Sequence, residues 1–345
     1  MAAPGVAVAS ACDGDAAAWQ AYVAAHPQAG FFHRWAWREL LEAQWGHATH
    51  HLIAHRAGRV CGVLPLALVR SRLFGTRLAS LPFCASAGPL VDDEAVLIAL
   101  DAAALALGRR LGVGHIEYRC ERPVHPDWPV NGLYAGFRRS IGPDDDANLR
   151  AVPRKQRAMV RKGIGHGLRA AIEDVDALYP LYADNVHRHG TPALPRRWLR
   201  ALQRTFGDDC EVLIVRDAAG HAVSGVLSFR QGGTMLPYYA GDLPRARDLA
   251  ANDFKYWALM RHAARQGCTQ FDFGRSKVGT GPYHFKRNWG FAPEPLAYEY
   301  RLLTDRDLPQ HNPANPRYRL LIATWRRLPR ALVGWLGPQL VRGLG

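Results

Sequence analysis

Apolar and polar residues along this chain change period often, alternating by two in some stretches and by three or four in others, as in a mixed α/β protein. Residues 5–12 read as a short strand, 16–25 as a helix ending before Pro27, and 33–44 as a helix with Gly46 just beyond its end. Strands follow at 51–55, 60–69 and 77–81, with Ala57 and Gly58 as a turn, in the order of an antiparallel meander. A helix at 95–111 and a strand at 115–120 complete the first half.

The second half replays this order. Trp198 to Gly207 has the spacing of Trp37 to Gly46. Val212 to Val215 corresponds to Leu52 to Ala54, and Gly225-Val226-Leu227 to Gly62-Val63-Leu64. The third strand becomes 235–240, with Tyr239 at its edge. The helix becomes 252–266, capped by Asn252, and the closing strand is Phe271-Asp272-Phe273. Matched landmarks in matched order predict two related domains.

Two basic stretches stand out. Residues 148–167 place Arg150, Arg154, Arg157 and Arg161 at helical spacing with Lys155 and Lys162 beside them and no acidic residue, so this helix repels itself unless it meets an anion. Pro153 must lie in its first turn or mark its start. In 271–291, a strand feeds a loop bearing Arg275, Ser276, Lys277, Tyr283, His284, Lys286 and Arg287 among Gly279, Gly281 and Pro282. Cations on backbone that can approach a ligand closely suit an anionic or phosphorylated substrate.

The chain has 345 residues, enough for two domains, and 44 Lys+Arg against 30 Asp+Glu, a net charge of +14 that favours polyanionic partners. No apolar run approaches the length of a membrane span, and the N-terminal residues lack the pattern of a signal peptide, so a cytoplasmic location is expected. Six scattered cysteines without a C-x-x-C pair suggest neither a disulfide framework nor a metal site. From about Arg306 the tail alternates Leu, Ile, Val and Trp with arginines between several prolines. This pattern predicts contact of 317–342 with the inner face of an anionic membrane, or packing on the catalytic body.

The strand meander followed by helix and strand, seen twice, together with PRKQRAMVRKG, ANDFKYWALM and FDFGRSKVGTGPYHFKRNWGF, resembles the FemAB family of acyl- and aminoacyltransferases. The branch most similar is the one associated with exosortase (PEP-CTERM) and exopolysaccharide systems. The resemblance implies two tandem GNAT-like domains, of the acyl-CoA N-acyltransferase architecture with mixed, largely antiparallel sheets. The expected boundaries are 1–147, 148–305 and a basic amphipathic tail at 306–345. It further implies transfer of an acyl or aminoacyl group to an amine or hydroxyl of an envelope or exopolysaccharide precursor, possibly lipid-linked, with aminoacyl-tRNA or acyl-CoA as donor and no tightly bound cofactor.

Within that frame Lys286 is expected to stabilise charge on a phosphate or developing oxyanion. Asp272 is expected to orient the acceptor or act as a base, and Tyr239 to line the channel. Arg154, Lys155 and Arg161 would hold substrate phosphates, with Arg275, Ser276, Lys277 and Tyr283 completing the binding loop. The stretch YYAGDLPRARDLAAND has only Gly241 where coenzyme-A-dependent relatives carry a glycine-rich pyrophosphate loop, which weakens a simple coenzyme A reading. Two alternatives remain: an acyl-CoA-dependent N-acyltransferase, and a non-catalytic scaffold for anionic lipid-linked glycans.

Overall fold

The computed structural model describes residues 5–71, 75–304, 308, 325–328, 336, 337 and 339–343. In chain order the first elements are β1 (Ala7–Ser10), α1 (Ala16–Ala25), α2 (Ala36–Trp45), β2 (Leu52–Arg56), β3 (Arg59–Leu64), β4 (Ala67–Ser71), β5 (Gly75–Ala79), β6 (Leu90–Val91), α3 (Glu94–Leu111), β7 (His115–Cys120) and β8 (Val130–Asn131). Next come β9 (Tyr134–Ser140), α4 (Asp145–Arg150), α5 (Arg154–Gly165), β10 (Arg169–Glu173), α6 (Val175–Arg188), α7 (Arg196–Phe206), β11 (Cys210–Arg216), β12 (Ala222–Gln231) and β13 (Thr234–Asp242). The last are α8 (Ala251–Arg265), β14 (Gln270–Asp272), β15 (Ser276–Lys277), α9 (Gly281–Asn288), β16 (Pro293–Pro295) and β17 (Ala297–Leu302).

These elements form two compact units. The first holds the described residues up to Gly132 together with 295–304, 308, 342 and 343; the second holds the rest. The pairing of β9 with β14 and β15, and of β17 with β7, crosses the expected boundary at 147. In the first unit β17, from near the end of the chain, inserts between β7 and β8. In the second, β9 inserts between β14 and β15, although it precedes every other strand of that sheet. Each of these two sheets thus takes one inner strand from a distant part of the sequence, whereas the first unit's other sheet, β1-β2-β3-β6, does not.

The repeat is visible in the registers. Ala54 pairs with Gly62 and Leu52 with Leu64 in the first unit; Ile214 pairs with Gly225 and Val212 with Leu227 in the second. Both glycines serve close approach, since a Cβ on Gly62 would lie 2.4 Å from Val96 and one on Gly225 would lie 2.7 Å from Ile214. Val226, Met235, Met260, Ala263 and Phe271 pack together as the second unit's core.

Four local expectations change. The strand at 60–69 is broken at Pro65 into β3 and β4, since proline cannot donate to a ladder. Asn252 does not cap α8; Ala250 does, at φ +55° and without a side-chain bond. Pro153 is the N-cap of α5, so the basic helix starts there. The stretch after β14 contains β15 and the helix α9 rather than loop alone. Most of the tail at 306–345, including most of the proposed membrane contact at 317–342, lies outside the described residues. All six cysteines are free, and Cys12 alone among them is exposed.

Candidate active site

The sheet of the second unit opens where β13 leaves β14. Their parallel pairing covers only Thr234 with Gln270 and Met235 with Phe271, after which Pro237 removes a donor and the register against β12 slips between Leu227 and Ser228. Gly274, at φ +67°, still touches Leu236 and Pro237. From Tyr238 to Asp242, β13 is paired with β12 alone. Tyr239 lies in this parted section, so the edge it occupies is the open side of an inner strand. It accepts from Trp198 Nε1 at 3.4 Å and meets Tyr182 and Tyr238 edge-on.

Directly beyond β14, the turn Phe273-Gly274-Arg275 is gathered by Lys286. Its Nζ donates to the carbonyls of Phe273 (2.6 Å), Gly274 (3.0 Å) and Arg275 (3.1 Å), and it lies over the rings of Phe137 and Phe273. An ammonium has three N–H groups, and all three are taken. Burial pulls its pKa down to about 7, with Asp272 opposing the fall and Arg275 adding to it.

Asp272, 8% exposed, accepts from Arg138 Nε at 2.7 Å and from the Gly274 amide at 2.7 Å. A cation from β9 thus holds the carboxylate across the ladder. Arg275 and Lys277 both lie over the ring of Tyr134, Ser276 is buried opposite Ala135, and Tyr283 packs edge-on against Phe137 while Arg287 covers it. The inserted strand β9 is therefore the platform on which Asp272, Arg275, Ser276, Lys277, Tyr283 and Lys286 converge.

The other expected residues sit elsewhere in this unit. Arg154, Lys155 and Arg161 are exposed on α5, whose opposite side packs on α8 through Val160 and Gly163; a Cβ on Gly163 would lie 2.8 Å from Phe254. Gly290, just past α9, touches Pro153 and so brings the start of α5 to the end of α9.

The stretch read as a degenerate pyrophosphate loop has a different logic. Gly241 belongs to β13, where a Cβ would come within 2.3 Å of the Tyr182 amide, so it lets α6 lie on the strand. The connection from Leu243 to Ala250 then contains no glycine. Beyond it, Lys255 is fully buried and pairs with Asp242 Oδ1 at 2.8 Å, which Ser224 Oγ also contacts. Burial opposes its charge but Asp242 raises its pKa above the ordinary value. Asp253, in the first turn of α8, accepts from Trp289 Nε1 at 2.9 Å and is raised by burial.

In the first unit the corresponding opening is closed. Beyond the pairing of β5 with β7, Ser80 donates to the Glu117 carbonyl and Ala87 to the Arg119 carbonyl, so the chain stays on β7. Arg119 holds the Leu81 and Cys84 carbonyls at 3.1 Å, and Tyr298 holds that of Ala85 at 2.5 Å. Leu81 and Phe83 adopt φ +57° and +66° to fit.

The parted strands with α8 beside them are what an acyl donor needs, and residues 147–287 match the family described as an acetyltransferase (GNAT) domain. Residues 147–287 thus resemble a GNAT acetyltransferase domain. The reaction class this match supports is acyl transfer. FemX has the same fold over 92% of this chain and 100% of its own, at 16% identity and TM-score 0.67. A tandem GNAT protein of clavulanic acid biosynthesis covers 86% and 97%, at 14% and 0.55. L-PGS from Bacillus licheniformis covers 85% and 97%, at 11% and 0.51. No curated protein matches the sequence. The tandem GNAT architecture and the FemAB resemblance both hold at the level of fold. Among the described residues no cluster suited to a metal ion occurs, and no helix is long and apolar enough to cross a membrane.

Sequence reasoning missed Arg138 and the Lys255–Asp242 pair of the GNAT domain. Arg138 lies 134 residues from Asp272, and no local signal joins them. Lys255 is inside a quoted motif, but its partner sits in the stretch read only for glycines.

Proposed function

We propose that this protein transfers an acyl or aminoacyl group to an amine or hydroxyl of a cell-envelope or exopolysaccharide precursor, with the donor held in the second unit. The observation that carries this reading is the parting of β13 from β14 beside a turn bound by Lys286. Attack by the acceptor on the donor carbonyl builds negative charge on oxygen, and the Lys286 ammonium with Arg275 and Lys277 supplies a positive field for it. Because the N–H groups of Lys286 are engaged, its part is to hold the turn and lend charge. Asp272, fixed by Arg138, orients the same turn and the acceptor, and Tyr239 lines the donor channel. Arg154, Lys155 and Arg161 would meet phosphates of the substrates.

The donor in this reading is an aminoacyl-tRNA, supported by the glycine-free connection before α8 and by the Asp253 carboxylate in the first turn, both poor neighbours for a pyrophosphate. Acyl-CoA is the second reading, favoured by the match of residues 147–287 to an acetyltransferase domain. The test is a transfer assay on isolated lipid-linked glycan precursors, with label supplied as charged tRNA or as acyl-CoA. Label arriving from one donor and lost in Lys286→Ala supports the proposal and names the donor. Label from neither, on intact precursors, would refute it.

A further inference from the structure

Among the described residues, the outward face of α5 is left exposed. At 100° per residue Val160 and Gly163 face α8, while Arg154, Ala158, Arg161 and Gly165 point the opposite way. Lys155 and Lys162 flank that face on one side, Arg157 and Ile164 on the other. The helix carries five cations and no acidic residue, and among the described residues none of the five has a carboxylate partner. Cations nearby do find partners: Arg150 with Asp144, Arg216 with Glu173, Arg261 with Asp145.

Among these charges Ile164 is 51% exposed, and β10, the edge strand that follows, adds an Ile172 that is 45% exposed. Phosphate alone explains the cations but leaves the isoleucines unused. A branched apolar side chain gains nothing from a phosphodiester; it gains when it leaves water for an apolar layer. Cations around protruding apolar side chains are the chemistry of a headgroup boundary.

We propose that this face of α5, with Ile172 of β10, docks the protein on an anionic lipid bilayer. Its cations, Arg154, Lys155 and Arg161 among them, then meet headgroup phosphates in place of the substrate phosphates given to them in the transfer reading, and the second unit works against the membrane plane. This goes beyond the transfer reaction and does not depend on it.

Sedimentation of the full chain with vesicles of one part phosphatidylglycerol to two parts phosphatidylcholine tests it, with pure phosphatidylcholine as control. The parent should pellet with the anionic vesicles only. Arg161→Gln with Lys162→Gln should bind about thirty-fold more weakly, at about 1 kcal/mol per cation. Ile164→Ser should bind several-fold more weakly with an unchanged melting temperature. A parent that stays in solution, or variants that pellet as the parent does, would overturn the proposal. Binding of a labelled single-stranded RNA that falls in the double variant, while Ile164→Ser alters neither ligand, would replace the bilayer by a polynucleotide. Vesicle binding is read without turnover, so failure of the transfer assay leaves this result intact.

Discussion

Lys286 Nζ sits 2.6 Å from the carbonyl oxygen of Phe273, thirteen residues earlier, and two further carbonyls complete its coordination. Lys286→Met removes all three bonds and leaves three carbonyls facing an apolar chain. A loss of about 3 kcal/mol in stability is expected, with turnover reduced at least a hundred-fold. Lys286→Arg should not rescue turnover, since a planar guanidinium cannot converge on three oxygens as an ammonium does. Thermal melts beside the transfer assay read both effects.

Arg138 and Asp272 form a pair whose arginine is about a third exposed. Arg138→Met should cost about 1–2 kcal/mol, because the partly buried Asp272 carboxylate loses its guanidinium partner. Combining it with Asp272→Asn should cost less than the sum of the two. A double-mutant cycle that came out additive would show that the pair is not coupled.

A methyl group on Gly241 would collide with main-chain atoms of α6 at 2.3–2.5 Å, and backbone cannot swing aside as a side-chain tip can. Gly241→Ala should destabilise by about 3 kcal/mol or prevent soluble expression, as measured by chemical denaturation. Gly220→Ala, in a turn with open space around it but at φ +86°, should cost only about 1 kcal/mol.

In the first unit His125 is held between Glu299 at 2.9 Å and Asp101 at 2.8 Å and stacks on Trp128. Burial works against its charge, but the two carboxylates raise its pKa to about 9. The folded state therefore keeps a proton that the unfolded chain releases near 6.5. The stabilisation is complete below pH 6.5 and disappears as pH rises through about 9. The difference in stability between the parent and His125→Gln should shrink over that window in urea titrations.

Cutting the chain at the expected boundary would remove β9 from the second sheet. Residues 148–305 alone should melt without cooperativity, whereas residues 133–294 should show a cooperative transition by circular dichroism.

What was legible in the chain was whatever is encoded within about twenty residues. Trp37 to Gly46 and Trp198 to Gly207 carry helix and C-terminal stop side by side, and Gly62 and Gly225 mark the same close approach, so the repeat could be read. The cations converging near β14 were visible as a cluster because they share one stretch. Their platform was not. Tyr134, Phe137 and Arg138 precede the expected start of the second domain at 148, and alternation in β9 says that it is a strand without saying which sheet it joins. The left-handed cap at Ala250 was hidden for a related reason: Asn252 is the better cap by composition, and the packing of Ala250 and Ala251 in the core decides instead.

The insertion of β17 beside β7 also has a consequence in time. Cys120 and Glu299, neighbours in the finished sheet, are 179 residues apart in the chain. At about 5–20 residues per second of synthesis, β7 waits on the order of 10–40 s for its partner. During that interval a strand edge that will be interior is open, while the second sheet, whose β9 emerges before the rest of it, can assemble as it appears. The half of the protein made first is therefore the half finished last, and a chaperone that binds exposed strand edges would find its target there.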